Sequence, residues 1–420
     1  MKFLIVIFFL SLTTYCFSQA TKKAPTKSIQ KEKFAGVDLY PIKVNNLYGF
    51  INHLGQIIIK PQFENANMFK EGFAKIKISG KFGFIDKGGK ISVNTIYEEL
   101  QDYSFGLAKI KVNNKYGFID YTGKVIIMPT FEYAESFSNI YGGLTKIKVS
   151  EKYGLINKKG EIISKPQFDN ISFFNEGLAQ IKIDRKSGFI NLNGDIVIKP
   201  TFTWAVAFSE GLALVSNNED WYMRDNCGYI DKKGDYVIKP QFGHLSGGFK
   251  NGMASVSVHG KYGYINKKGE FVIEPQFNFA DDFNDGFASV SYSKEGGGYL
   301  APDAMCGWID VKGKFVINPI YWFSYGHFYE GLKAVRIRQD ENYKTFYIDK
   351  TNKVIIEPDC EMAQDFKEGW ARVTKRGFDG IINKKGEFFE GEIVGDLIRV
   401  KQGDNFGYKN KLGQWVWNTN

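Results

Sequence analysis

Between Phe34 and Trp417 the chain alternates apolar and polar residues in short bursts, always in the same order. In "LAKIKV" (107–112), Ala108, Ile110 and Val112 fall on one face, and Lys109 and Lys111 on the other. A period of two predicts a β-strand with one wet face. A tight turn at Asn113-Asn114 leads into "KYGFID", a second strand. Then comes a four-residue turn, as in Asn157 to Gly160, Asp231 to Gly234, Asn266 to Gly269 and Asn383 to Gly386. Asn or Asp first and Gly fourth is the signature of a type I turn. "EIISKP", "DIVIKP" and "KVIIMP" then predict a third strand. Its apolar residues are consecutive, so both faces are expected to be covered. Its Pro is expected to end it, because Pro cannot donate to a ladder.

The glycine of "YGF" marks the copies, at Gly49, Gly83, Gly117, Gly154, Gly188, Gly228, Gly263, Gly307, Gly380 and Gly407, with Thr345 taking that slot once. Glycine weakens a strand, so its return implies a close-packed neighbour where a Cβ would clash. A second glycine, in Glu71-Gly72, Glu176-Gly177, Glu210-Gly211 and Glu368-Gly369, is expected to close the connection with a positive φ. The connections carry paired aromatics, Phe131/Phe137, Phe63/Phe69 and Phe277/Phe283 among them. They are read as a stacked core between neighbours, with a carbohydrate-binding ladder as the alternative. The expectation is an all-β tandem array of about eleven three-stranded antiparallel meanders. Each unit buries its apolar face against the next. Propellers reach roughly eight four-stranded blades, so an open superhelix is favoured over a closed ring.

The recurring signature is aromatic-Gly-aromatic-Ile-[Asn/Asp]-x-x-Gly, then Ile-x-Pro-x-[Phe/Tyr], then Phe-x-Glu-Gly-x-Ala, over residues 36–417. It resembles the WG-repeat family, although Tyr, Phe, Ser187 or Cys stands where the namesake Trp would be. The resemblance implies a β-rich scaffold, often in exported bacterial proteins, and no shared catalytic residues.

Residues 1–19 read as a secretory signal peptide: Met1-Lys2, the apolar run "FLIVIFFLSL", and small residues at Ser18 to Ala20. The apolar run is too short for a comfortable membrane span, and bulky Tyr15 argues against acylation of Cys16. Residues 20–33 read as a flexible leader, and 34–420 as the array. Cys227, Cys306 and Cys360 remain after cleavage, too few for a disulfide framework; Cys227 and Cys306 share the slot before the glycine and are read as buried free thiols. The net charge of +9 permits weak attraction to anionic polymers. Four dispersed histidines make no metal spacing, and no nucleophile elbow or phosphate loop is present. No cofactor is expected. The reading is an exported, non-enzymatic, monomeric scaffold that binds a protein or glycan at the cell envelope, with no nucleic acid partner and no membrane span in the mature chain. The alternative is a glycan-binding or glycan-active protein.

The copies differ as a group in one place. Nine residues separate the Ala108 slot from the glycine slot in eight copies, but fifteen separate Ala213 from Gly228, nineteen Ala288 from Gly307, and twelve Lys333 from Thr345. Scaffolded loops of this kind carry binding in repeat proteins, although surface hairpins also lengthen by drift. The tips at 217–226, 294–305 and 339–344 are therefore the candidate binding rim, with Trp221, Tyr222, Tyr299, Trp308 and Tyr343 as candidate contacts. Lysines such as Lys75, Lys109 and Lys111 are expected on the wet face.

Overall fold

The computed structural model describes residues 38–218, 226–243, 247–293, 304–322, 324–339, 342–403 and 405–418. Apart from a 3-10 turn at Asn139–Tyr141, its elements are strands. They form eleven antiparallel sheets, eight of four strands and three of three. In blade 3, Ala108–Val112 pairs with Lys115–Ile119, which pairs with Val125–Phe131. The strand beyond the expected meander is short: Glu99–Leu100, pairing with Ala108–Val112. It begins two residues after the preceding blade's third strand, Ile91–Tyr97, ends. The third strand of each such blade thus runs almost directly into the sheet of the next.

The sheets are the blades of a closed β-propeller ring, and the open superhelix is overturned. Eleven hydrophobic clusters occupy the eleven seams; an open array of eleven units would have ten. The closing cluster joins Tyr40, Ile42 and Ile51 of blade 1 to Leu397 and Tyr408 of blade 11. Across it the Tyr408 hydroxyl donates to the Pro41 carbonyl at 2.9 Å, and the Asp396 N–H donates to the Tyr40 hydroxyl at 3.2 Å. Elsewhere the turn glycine of one blade sits against the third strand of the blade before it, as Gly160 does against Ile127. Gly55 of blade 1 sits in the same way against Val416 of blade 11. The last seam obeys the rule of the others. The usual blade number did not limit this chain, because each seam is built locally.

The aromatic connections fill these seams. Phe118 meets Phe137 at 5.0 Å, Phe189 meets Phe208 at 4.8 Å and Tyr264 meets Phe283 at 4.7 Å, each pair joining two blades. They are core, so the carbohydrate-ladder reading of these rings falls away.

The marker glycine has a steric cause. In the third strand of blade 3, Tyr116 pairs with Phe131 and Phe118 with Ile127, so two extra residues bulge out between them. The bulge presses backbone onto the glycine. A Cβ on Gly117 would stand 2.5 Å from the Ile127 carbonyl oxygen and 2.7 Å from the Pro129 nitrogen. The same oxygen clash, at 2.4–2.6 Å, recurs at Gly49, Gly83, Gly154, Gly188, Gly228, Gly263 and Gly307. Proline sits inside this bulge, where no ladder donor is needed. It does not end the strand, as the sequence suggested. The third strand is not covered on both faces either: Ile162 is 58% exposed, and Ile57, Ile91 and Val237 also face solvent.

Two turns knit the blades. In all eleven Asn/Asp turns the side-chain oxygen accepts the N–H groups two and four residues on, at 2.8–3.1 Å. Where the residue is Asn, its amide donates to an acid or amide four residues later, as Asn157 does to Glu161. Where it is Asp, that later residue is Lys in four turns, including Asp86/Lys90, and Asp235 after Asp231 is the exception. The Glu-Gly connection is a two-residue turn with both φ angles positive, 51° at Glu71 and 88° at Gly72. Its carboxylate reaches the next blade's equivalent turn: Glu71 accepts the Gly106 N–H, Glu176 that of Gly211, Glu210 that of Gly252 and Glu330 that of Gly369.

The strand lysines are not on an open wet face. The Lys75, Lys109 and Lys146 ammonium groups donate to the carbonyls of Leu100, Ala134 and Ile171 in the next blade. Burial pulls the Lys109 pKa down. Ser255 makes the corresponding bond to the Ala280 carbonyl at 3.0 Å. The change from Lys to Ser along the chain thus keeps this seam bond.

Candidate functional site

Blade 9 breaks the repeat at several slots. Its first strand, Lys333–Gln339, pairs with Asn342–Ile348 so that Val335 faces Phe346 and Arg336 faces Thr345. In blade 3 the residues in those places are Ile110 facing Gly117 and Lys111 facing Tyr116. The glycine slot therefore holds Phe346, not Thr345, and the hairpin separation is thirteen. Thr345 replaces the aromatic residue before it. Lys333 takes the Ala108 slot.

These substitutions have a visible consequence. A Phe side chain in the glycine slot has no room against a third strand bulged as in blade 3, where a single Cβ would already clash. The third strand of blade 9 is only Val354–Ile356 and stops before Pro358. Among the described residues no short first strand precedes Lys333 either, and the blade has three strands. Between the shortened blade and its neighbours lies a half-open cavity of about 230 Å³, lined by Ser324, Tyr325, Lys333, Ala334, Arg336, Thr345, Ala363, Gln364 and Asp365.

The cavity is polar. The buried Lys333 ammonium pairs with Asp365 at 2.8 Å, and the other Asp365 oxygen accepts the Ala334 N–H at 3.1 Å. The Ser324 hydroxyl accepts the Arg336 N–H at 2.9 Å and donates to the Trp322 carbonyl at 2.9 Å. Among the described residues the Arg336 guanidinium has no ion-pair partner. The carboxylates that share the surroundings of Cys360 with it are engaged elsewhere: Glu361 with the Arg376 N–H and Asp359 with Lys375. Two pleat positions further on, Arg338 faces Tyr343 across the hairpin. Arg338 lies over the Trp322 ring at 5.9 Å and Tyr343 lies beside it at 6.2 Å.

The candidate residues separate sharply. Trp221, Tyr222 and Tyr299 lie outside the described residues, as do most of the tips at 217–226 and 294–305. Trp308 is 1% exposed. It packs against Tyr321 and Phe328, and its indole N–H donates to the Gly326 carbonyl at 3.0 Å, so it is core and not rim. Tyr343 is 43% exposed and borders the cavity's approach. Sequence reasoning missed Lys333, Arg336, Thr345 and Asp365. Counting back from the turn residue Asp349 would have shown the displaced slot.

Neither thiol near the cavity is activated. Burial raises the Cys306 pKa, and burial with Glu361 and Asp359 pushes Cys360 up to about 11. A protonated thiol is a poor nucleophile. Among the described residues no cluster of three His, Cys, Asp or Glu side chains could hold a metal, and no helix is long and apolar enough to cross a membrane.

A family model for the WG containing repeat matches residues 48–82, 82–116, 116–153, 153–186, 188–221, 228–262, 262–293, 307–343 and 346–377. The chain belongs to the WG-repeat family. Each matched WG repeat begins at a blade's second long strand and ends in the hairpin of the next, so one sequence unit serves two sheets. No curated protein matches the chain. Among solved structures it is similar to a eukaryotic initiation factor (11% identity, 84% of this chain and 94% of that one, TM-score 0.43). It is also similar to dipeptidyl peptidase 4 of Porphyromonas gingivalis (10%, 74% and 57%, 0.36) and to AztD of Citrobacter koseri (14%, 90% and 89%, 0.23). At such scores these likenesses bear on neither fold nor function, and the ring rests on the chain's own seams.

Proposed function

We propose that this WG-repeat protein is an exported, non-enzymatic binding scaffold whose ligand seat is the cavity at blades 8 to 10. One observation supports it above the rest: the unit that abandons the repeat's glycine borders a polar cavity. Export rests on the signal-peptide pattern of residues 1–19 and places the ligand, a glycan or a protein, at the cell envelope. The glycan-active reading is weaker. Glycoside hydrolysis usually needs two carboxylates across the scissile bond, and Asp365, the carboxylate lining the cavity, is held by Lys333 and a backbone N–H.

The test is a screen of the full mature chain and its Arg336→Ala variant against immobilised envelope polysaccharides and envelope proteins. Retention without products, lost in the variant, supports the reading. Release of shortened glycan chains overturns the non-enzymatic part, and undiminished retention by the variant overturns the seat. Mass spectrometry of the exported protein should find residues 1–18 or 1–20 missing and no lipid at Cys16.

A further inference from the structure

We infer that the cavity of blade 9 is a seat for the carboxylate of a small acidic sugar, with Arg336 as its anchor; this rests on the reading of the cavity as a ligand seat. Charge carries the inference first. The lining holds two cations, Lys333 and Arg336, against one carboxylate, Asp365. Lys333 is buried and neutralised by Asp365, which leaves Arg336 as the uncompensated charge. In this column Lys111 pairs with Glu99 at 2.7 Å and Lys148 pairs with Glu151, while Lys77 and Lys182 have no ion-pair partner among the described residues; Arg336 is set apart by lining a cavity. Glu99 belongs to a short strand, and no such strand is present among the described residues of blade 9. A guanidinium offers a planar fork that fits a carboxylate in two parallel hydrogen bonds.

Size and lining narrow the ligand. A cavity of about 230 Å³ falls below the roughly 300–1,000 Å³ typical of drug-sized ligands. One sugar ring suits it better than an extended chain buried along its length. The Gln364 side chain, exposed at the mouth, makes no hydrogen bond among the described residues and can serve a sugar hydroxyl, whereas the buried Thr345 hydroxyl donates to the Glu361 carbonyl at 3.5 Å. Thr345 and Tyr343 occupy alternate positions of one strand, so the half-exposed Tyr343 ring lies one step above the cavity on the same face. A ring face beside a guanidinium matches a pyranose bearing a carboxylate.

The test measures binding of sodium glucuronate and of glucose to the full mature chain by calorimetry at fixed ionic strength. Glucuronate should bind at least tenfold more tightly than glucose, since a charged hydrogen-bonded pair contributes more than a neutral one. Arg336→Ala should erase that preference, and Arg336→Lys should restore part of it. A further variant guards against misfolding. Lys333→Ala with Phe346→Gly returns blade 9 to the repeat's own residues, leaves Arg336 in place, and should also lose glucuronate. Equal binding of the two sugars, no binding of glucuronate, or an Arg336→Ala protein that keeps the preference overturns the inference. A protein that retains a polymer in the screen through Arg336 but does not prefer glucuronate leaves the scaffold standing without the acidic-sugar seat. One that prefers glucuronate but retains no polymer supports the seat and overturns the scaffold reading.

Discussion

Replacing Gly117 by Ala isolates a single methyl group at the glycine slot. Its Cβ would stand 2.5 Å from the Ile127 oxygen, 2.7 Å from the Pro129 nitrogen and 2.9 Å from the Met128 carbonyl carbon. All three are backbone atoms, so no side chain can rotate away. Either the bulge is strained or the end of the third strand lets go. Overpacking costs about 1–3 kcal/mol. Release forfeits the Tyr116–Phe131 pairing, with hydrogen bonds of about 0.5–1.5 kcal/mol each and the seam contacts of Phe131. Both routes point to about 2–3 kcal/mol.

Two controls separate sterics from backbone strain. A Cβ on Gly72 meets nothing within 4 Å, but its φ is +88°, so Gly72→Ala carries only the left-handed penalty, about 1–2 kcal/mol. Asn tolerates that conformation, so Gly72→Asn should recover stability while Gly117→Asn should not. Lys111→Val loses the ion pair to Glu99 and a cation–π contact with Tyr116 but introduces no clash with backbone. An eleven-blade ring need not unfold in one step, so the assay is hydrogen exchange alongside the urea midpoint. Gly117→Ala should lower the midpoint more than Lys111→Val and strip protection from 125–131. Equal midpoint shifts, or unchanged protection there, would refute the steric account.

Ring closure is tested by Tyr408→Phe. It removes the bond to the Pro41 carbonyl, at about 1–3 kcal/mol for the orphaned acceptor, and should raise exchange at 39–44; an open array would leave 39–44 unaffected. Glu330 gives a pH prediction. A hydrogen bond from Lys384 holds its carboxyl below the usual range, with burial opposing it and the Gly369 N–H adding to it. Its stabilisation is complete above the unfolded value of roughly 4.3 and is lost as pH falls through the lower folded value. Limited proteolysis should therefore show the seam opening in acid, with a weaker pH dependence in Glu330→Gln. An identical acid profile in that variant would dismiss the contribution. Finally, Phe346→Gly should let the strand after Ile356 extend through Pro358, read as new exchange protection at 357–360.

The strands were legible because a period of two is a direct image of the pleat, and the turns because Asn, Asp and Gly are selected by local geometry. The reason for the marker glycine was legible in kind. Its source was not: the clashing backbone belongs to the same sheet, at a bulge that no alternation reveals. The apolar run "EIIS" suggested two covered faces, yet Ile162 faces solvent while Ser164 is buried. Closure was hidden for a different reason. Each seam is encoded between neighbouring units, and the meeting of Gly55 with Val416 is a sum of ten small rotations, which no single copy records.

The same reasoning explains why blade 9 carries the candidate site. Lys333 replaces a small residue, Phe346 replaces a glycine whose Cβ has no room in most other blades, Thr345 replaces a seam aromatic, and Asn352 takes a turn-glycine slot with φ 67°. Each substitution opposes a packing rule that most other blades obey, and drift would scatter such departures around the ring. Here they adjoin, and their costs are met locally: Asp365 neutralises Lys333, the third strand shortens around Phe346, and the Asn352 side chain accepts the Tyr321 hydroxyl at 2.6 Å. What the group leaves uncompensated is the Arg336 guanidinium at a cavity. A repeat scaffold gains a specific site by giving up its regularity at one seam while the remaining seams hold the ring.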